Sequence, residues 1–211
     1  MKRGVSLIKL LSVKQHMQTK AWDLVAMDVH FNLEIDTPEF MHLVAKDTTI
    51  LDYGCGYGRA CEILNSMGYN NILGVDSSPE MIRRGNLIYP HLTLSQTQGT
   101  TLQYPDGNFG AIVLCVVLTC IPEHRAMKDL LAEIERVLKP GGILHMVEFC
   151  NETSNTFKSK IGITMHHQRP SELRSLVSAF TELKFEVIQT KTMGGNTAKA
   201  VNYFGQKTLN M

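Results

Sequence analysis

Thr49-Ile50-Leu51-Asp52-Tyr53-Gly54-Cys55-Gly56-Tyr57-Gly58-Arg59 is the stretch that most restricts the fold, because an apolar run stops abruptly in three alternating glycines. Ile50 and Leu51 favour a buried strand. The glycines admit positive φ and let a ligand approach the backbone where any Cβ would collide. A strand that bends here into a helix from about Arg59 to Met67 turns unpaired N–H groups toward whatever sits in the bend. A dinucleotide fingerprint, Gly-x-Gly-x-x-Gly, would place its third glycine at position 59, where this chain has Arg59. The spacing favours a different ligand.

The 211 residues suit one layered domain with a full core. From Thr49 onward strand and helix signals alternate, which predicts a parallel sheet covered by helices on both faces. Asn71 to Asp76 reads as a second strand ending in an acid, and Ser77-Ser78-Pro79-Glu80 opens the next helix with a cap and an early proline. Leu92 to Leu94 is a short third strand, and the apolar run Phe109 to Leu118 is a central fourth. A helix over Arg125 to Leu138 ends at Lys139-Pro140-Gly141-Gly142 and yields to a fifth strand from Ile143 to about Phe149. Asn151 to Thr156 reads as irregular, Ser171 to Phe180 as a helix, and Phe185 to Thr190 with Ala200 to Gln206 as an antiparallel edge hairpin. Residues 1–46 form an N-terminal helical extension ahead of a domain over 47–211. Its apolar face comprises Trp22, Leu24, Val25, Met27, Val29 and Phe31, and Pro38 breaks the run.

Lys+Arg 21 against Asp+Glu 20 leaves a net charge of +1, so no global basic field exists to hold a nucleic-acid backbone. No unbroken apolar stretch reaches membrane-spanning length. Met1 to Leu11 mimics a signal peptide only faintly, since Lys9 interrupts it and no small-residue cleavage site follows. A cytoplasmic protein with neither nucleic-acid nor membrane partners is expected. The five cysteines form no Cys-x-x-Cys pair, which suits reduced thiols, and no metal site is expected.

The pattern acidic-x-Gly-x-Gly-x-Gly, filled by Asp52, Gly54, Gly56 and Gly58, is followed in order by Leu73–Met81, Tyr104–Phe109 and Glu133–Gly142. Together these motifs resemble the class I S-adenosylmethionine-dependent methyltransferases, in their small-molecule, methyltransferase type 11-like branch. The resemblance is close from Thr49 to roughly Val147. It implies an α/β, Rossmann-like doubly wound sheet of seven strands in the order 3-2-1-4-5-7-6, the last antiparallel, with an N-terminal helical lid. It also implies methyl transfer from S-adenosylmethionine to a small-molecule acceptor by in-line displacement, with S-adenosylhomocysteine as product. A non-catalytic cofactor-binding or partner-regulating protein of the same fold is the alternative. A nicotinamide oxidoreductase is weakened by Arg59.

Asp76 lies about 20 residues past the glycine turn, where a carboxylate can accept ribose hydroxyl hydrogens. The same resemblance assigns Asp52, Tyr53, Gly54, Cys55, Gly56 and Gly58 to the methionine part, with the tail carboxylate on exposed N–H groups and the ammonium near Asp52. Gln98 and Gly99 fall where relatives hold the adenine, Gln98 in place of the usual acid, and Ser77, Met81 and Thr100 are further cofactor-binding positions. Cys115 and Val116 complete the cofactor set. They stand where enzymes methylating base amines carry an Asp- or Asn-Pro-Pro-aromatic signature, whose absence points to a small nucleophile. The ring face of Tyr53 or Tyr57 is a candidate cation stabiliser. Glu148, His166 and His167 are candidate proton acceptors, with a paired carboxylate and solvated histidines as the bland readings; His145 is assigned to the core. Cys55, Cys115, Cys120 and Cys150 fall near the ends of strands 1, 4 and 5, so several are expected at one pocket.

Overall fold

The computed structural model describes residues 18–98 and 101–209. Helix α1 (residues 18–25) and helix α2 (Thr37–Leu43) precede β1 (Ile50–Tyr53), α3 (Arg59–Ser66), β2 (Ile72–Asp76), α4 (Pro79–Ile88) and β3 (Thr93–Gln96). The chain continues through β4 (Phe109–Cys115), a single 3-10 turn at Leu118–Cys120, α5 (His124–Val137) and β5 (Leu138–Cys150). It ends with β6 (Asn155–Lys158), β7 (Thr164–His167), α6 (Pro170–Leu176), β8 (Thr181–Lys191) and β9 (Thr197–Gln206).

Seven strands form one sheet in the order β3-β2-β1-β4-β5-β9-β8. The first five are parallel, and β9 runs antiparallel to both β5 and β8. This is the expected order, with β8 and β9 as its sixth and seventh strands. Alternation along β1 sends successive side chains to opposite faces. Leu51, with Ile112 and Leu114 of β4, joins the core cluster formed with Leu130 and Ile134 of α5 and Leu173 of α6. Ile50, with Ala111 and Val113, joins the other, against Phe40 of α2 and Leu64 of α3. All four β1 residues are buried, as a central strand covered on both faces requires.

Four local expectations are corrected. Pro38 does not break a helix but sits in the first turn of α2, where a missing N–H is harmless and Asp36 caps the end by accepting from Glu39 N at 3.2 Å. Leu24 and Met27 are 85% and 50% exposed, so the apolar face of the N-terminal segment is narrower than the pattern suggested. The fourth strand stops at Cys115 because the backbone turns at Val116, which has φ 62°. The stretch read as irregular runs at its end into β6, which pairs with β7 in a two-stranded ribbon outside the main sheet. All of β6 is exposed, so no alternating burial pattern marks it as a strand.

Candidate active site

The C-terminal ends of β1, β2 and β4 open onto a cavity of about 190 Å3. Parallel sheets collect ligands at this edge, where the strand order reverses. The N-terminal segment roofs it. Phe31 lies over the glycine turn, stacked on Tyr57 at 5.3 Å with Trp22 edge-on at 5.9 Å. A Cβ added at Gly56 would come within 2.6 Å of the Phe31 ring, and one at Gly54 within 2.6 Å of Val117 Cγ2. With φ of 75° and 56°, Gly54 and Gly56 hold conformations and approaches closed to other residues.

Hydrogen bonds fasten this roof at three places, β7, α4 and the β8–β9 tip. The Gln18 amide donates to Thr164 O at 2.7 Å and accepts from Thr164 N, tying α1 to β7. Asp23 accepts from Ser78 Oγ at 2.6 Å, beside the start of α4. Arg84, buried in α4, donates to Ala26 O and Val29 O at 2.7 and 2.6 Å and covers the Tyr57 ring at 3.9 Å. The Asn32 amide donates to Lys191 O and Thr192 O at the β8–β9 tip. Tyr57, with one face toward Phe31 and the Arg84 guanidinium over its ring, does not line the cavity as a cation stabiliser would; Tyr53 does.

Asp76 points into the cavity beside Gly56. Its Oδ2 accepts from Gly56 N at 2.9 Å and its Oδ1 from Ser78 N at 2.8 Å, while Ser78 caps α4 with its own hydroxyl. Burial pushes the Asp76 pKa up, and those two N–H groups pull against it. Asp52, 1% exposed, accepts from the Cys61 thiol at 3.2 Å, and burial lifts its pKa to about 6.

Of the residues assigned to the cofactor, Asp52, Tyr53, Gly54, Cys55, Gly56, Asp76, Ser77, Met81, Cys115 and Val116 line the cavity. Gly58 does not; it is the N-cap of α3 and packs against Leu94. Gln98 is exposed and away from the wall, where Thr97 stands instead. Gly99 and Thr100 lie outside the described residues. The turn's N–H groups are less available than expected, because Gly54 N and Cys55 N donate to Val75 O, Gly56 N to Asp76, and Gly58 N to Cys55 O.

None of the three candidate proton acceptors lines the cavity. Glu148 is fully buried and accepts from Val117 N, Leu118 N, Thr119 N and Thr119 Oγ1, all at 2.8–2.9 Å. Burial pushes its pKa up to about 7 against the pull of these donors. Its carboxylate thus clamps the loop after β4, including the neighbourhood of Val116, whose positive φ is rare for a β-branched residue. His166 pairs with Thr156 Oγ1 at 2.7 Å across the β6–β7 ribbon. His167 stacks on Phe149 and meets Phe157 edge-on. Met165, between Thr164 and His166, reaches the cavity. His145 is in the core as expected, stacked on Phe204 at 4.1 Å, with Nε2 accepting from Asp36 N and Nδ1 facing Tyr203 O.

Three thiols, Cys55, Cys115 and Cys120, do meet at the cavity; Cys150 does not. Burial raises their pKa, to about 11 for Cys55 and about 12 for Cys115, so they stay protonated near neutral pH. Sequence reasoning missed the wall formed by Leu33, Ile121, Phe149, Met165 and Met193. Met193-Gly194-Gly195 carries a turn signal between the two edge strands, unused in the expectations drawn from the sequence, and nothing local tells where that tip lies.

Residues 51–146 match a family described as a methyltransferase domain. The chain is 25% identical over 172 residues to an uncharacterized methyltransferase of Synechocystis sp., covering 79% of this chain and 80% of that protein. It is 31% identical over 123 residues to the 2-methyl-6-phytyl-1,4-hydroquinone methyltransferase of the same organism, covering 53% of this chain but only 38% of that enzyme. A solved S-adenosylmethionine-dependent methyltransferase from Methanosarcina mazei superposes with a TM-score of 0.77 at 25% identity, covering 84% of this chain and 100% of that one. The 1,6-didemethyltoxoflavin-N1-methyltransferase of Burkholderia thailandensis shares the fold with a TM-score of 0.69 at 18% identity, over 92% of this chain and 90% of that one. With the glycine turn, Asp76 and the sheet order in place, these likenesses support a class I S-adenosylmethionine-dependent methyltransferase.

Proposed function

We propose that this chain transfers a methyl group from S-adenosylmethionine to a small, largely apolar acceptor. The observation that carries the reading is the convergence of the glycine turn and the Asp76 carboxylate on one roofed cavity whose far wall is apolar. Bound there, the cofactor supplies an electrophilic methyl on a sulfonium. Asp76 is suited to grip the ribose, Asp52 to face the ammonium, and Cys115 and Val116 to floor the cavity between cofactor and acceptor. Leu33, Ile121, Phe149, Met165 and Met193 exclude water from the acceptor end and orient the incoming nucleophile. Rate enhancement then comes from positioning and desolvation. The protonated thiols leave the acceptor's own atom as the nucleophile. Glu148 serves as the loop clamp in this reading, not as a base.

The hydroquinone acceptor in the name of one relative is consistent with such a lining. The test is release of S-adenosylhomocysteine during incubation with a panel of hydroquinones, phenols, thiols and heterocyclic amines. Turnover with members of this panel, and none with protein or nucleic acid, is the expected result. Turnover confined to macromolecules would overturn the acceptor class, and binding without any turnover would favour the non-catalytic alternative.

A further inference from the structure

Arg59 replaces the third glycine of a dinucleotide fingerprint and opens α3, and its side chain forms part of the cavity wall together with Asp52. One terminal nitrogen of its guanidinium donates to Leu33 O. Its Nε is buried and has no partner. A buried guanidinium N–H left unpaired is unfavourable enough to need an explanation. Balancing Asp52 does not supply one. The two charges are close enough for Arg59 to pull the Asp52 pKa down, yet no contact within 4.0 Å joins them among the described residues.

The glycine turn leaves the same gap from the other side. An amino-acid tail brings a carboxylate as well as an ammonium, and the N–H groups of Gly54, Cys55, Gly56 and Gly58 are already taken within the protein. A guanidinium in the wall offers that carboxylate two parallel N–H groups matched to it, beyond any N–H left free at the start of α3.

Resting on the methyltransferase reading, we propose that Arg59 is the seat of the cofactor's tail carboxylate, with Asp52 facing its ammonium, so that the cavity selects a zwitterionic tail. Calorimetric titration with three ligands tests this: S-adenosylhomocysteine, its decarboxylated analogue, and methylthioadenosine, which lacks the amino-acid tail. The wild-type chain should prefer S-adenosylhomocysteine over the decarboxylated analogue by about 10- to 100-fold, the usual weight of a charge-assisted pair. Arg59→Met should abolish that preference while holding methylthioadenosine affinity within about twofold, and Arg59→Lys should restore part of it. Equal wild-type affinity for the first two ligands would overturn the proposal. So would a folded Arg59→Met chain that binds S-adenosylhomocysteine as tightly as wild type, or that loses methylthioadenosine to the same extent. Should Arg59→Met fail to fold, the wild-type ligand comparison decides. A wild-type chain that binds none of the three overturns the cofactor reading itself, a result distinct from failure of the Arg59 seat alone.

Discussion

Val116, with φ 62°, is the one non-glycine residue in the left-handed region among those described. Such a conformation costs on the order of 1–3 kcal/mol and persists only where neighbours impose it. Here Val116 N donates to Val147 O at 2.9 Å, and Glu148 takes the next three N–H groups. Glu148→Ala should therefore destabilise the chain by roughly 3 kcal/mol by leaving several buried donors unpaired. Urea denaturation followed by circular dichroism measures this, and an unchanged midpoint would contradict the clamp. His145 gives a pH prediction. Burial lowers its pKa to about 4, from an ordinary 6.5, so the unfolded chain takes up the proton first as pH falls. The stability contributed by neutral His145 is complete above pH 6.5 and declines below it, by about 2 kcal/mol at pH 5. Asp52 and Glu148, raised to about 6 and 7, act oppositely, since each holds a native-state proton whose stabilisation is lost as pH rises through those values. The His145 contribution is accordingly read as the difference between wild type and His145→Phe in urea melts at pH 7.5 and pH 5; equal losses in both chains would contradict it. Asp76 and the core role of His145 were legible in the sequence because strand ends and apolar runs mark them. The clamp was not, because its partners lie about 30 residues away across two parallel strands.

The N-terminal segment and the two hairpins act on the site as elements. Gln18 ties α1 to β7, and Asn32 ties the same segment to the β8–β9 tip, so the roof is held at both ends. Trp22, the sole tryptophan, lies in the cavity wall. Titration with S-adenosylhomocysteine should change its emission in a saturable way, and Asn32→Ala should raise the dissociation rate several-fold in stopped-flow fluorescence with little change in the melting temperature. Emission insensitive to saturating ligand would place the ligand elsewhere. The apolar Trp22, Val25, Val29 and Phe31 pattern was readable as a packed face, but its tilt over the glycines depends on Arg84 and Asp23 contacts with α4 that no local pattern encodes. Ribbon β6–β7 escaped notice for the converse reason, since an exposed strand carries no periodic signal.

At the scale of the molecule, alternating strand and helix signals pointed to a parallel sheet and the long apolar β4 to a strand inside it, while the order of the strands was implied by the family resemblance. Burial on both faces marks β1, β4 and the inner part of β5 as strands in the apolar pattern, although β5 already begins at Leu138, ahead of the expected Ile143. The cavity's acceptor wall is different. It is assembled from residues 33, 121, 149, 165 and 193, which meet only after the whole chain has folded. Binding of S-adenosylmethionine at this edge of the sheet, through Asp76 and the glycine turn, is the property on which the proposed function depends. Isothermal titration of the intact chain with S-adenosylhomocysteine, beside Asp76→Asn, tests it most directly. The predicted result is one ligand per chain, with binding at least about tenfold weaker in the variant; a folded wild-type chain that takes up no ligand, or a variant that binds as tightly as wild type, would contradict it.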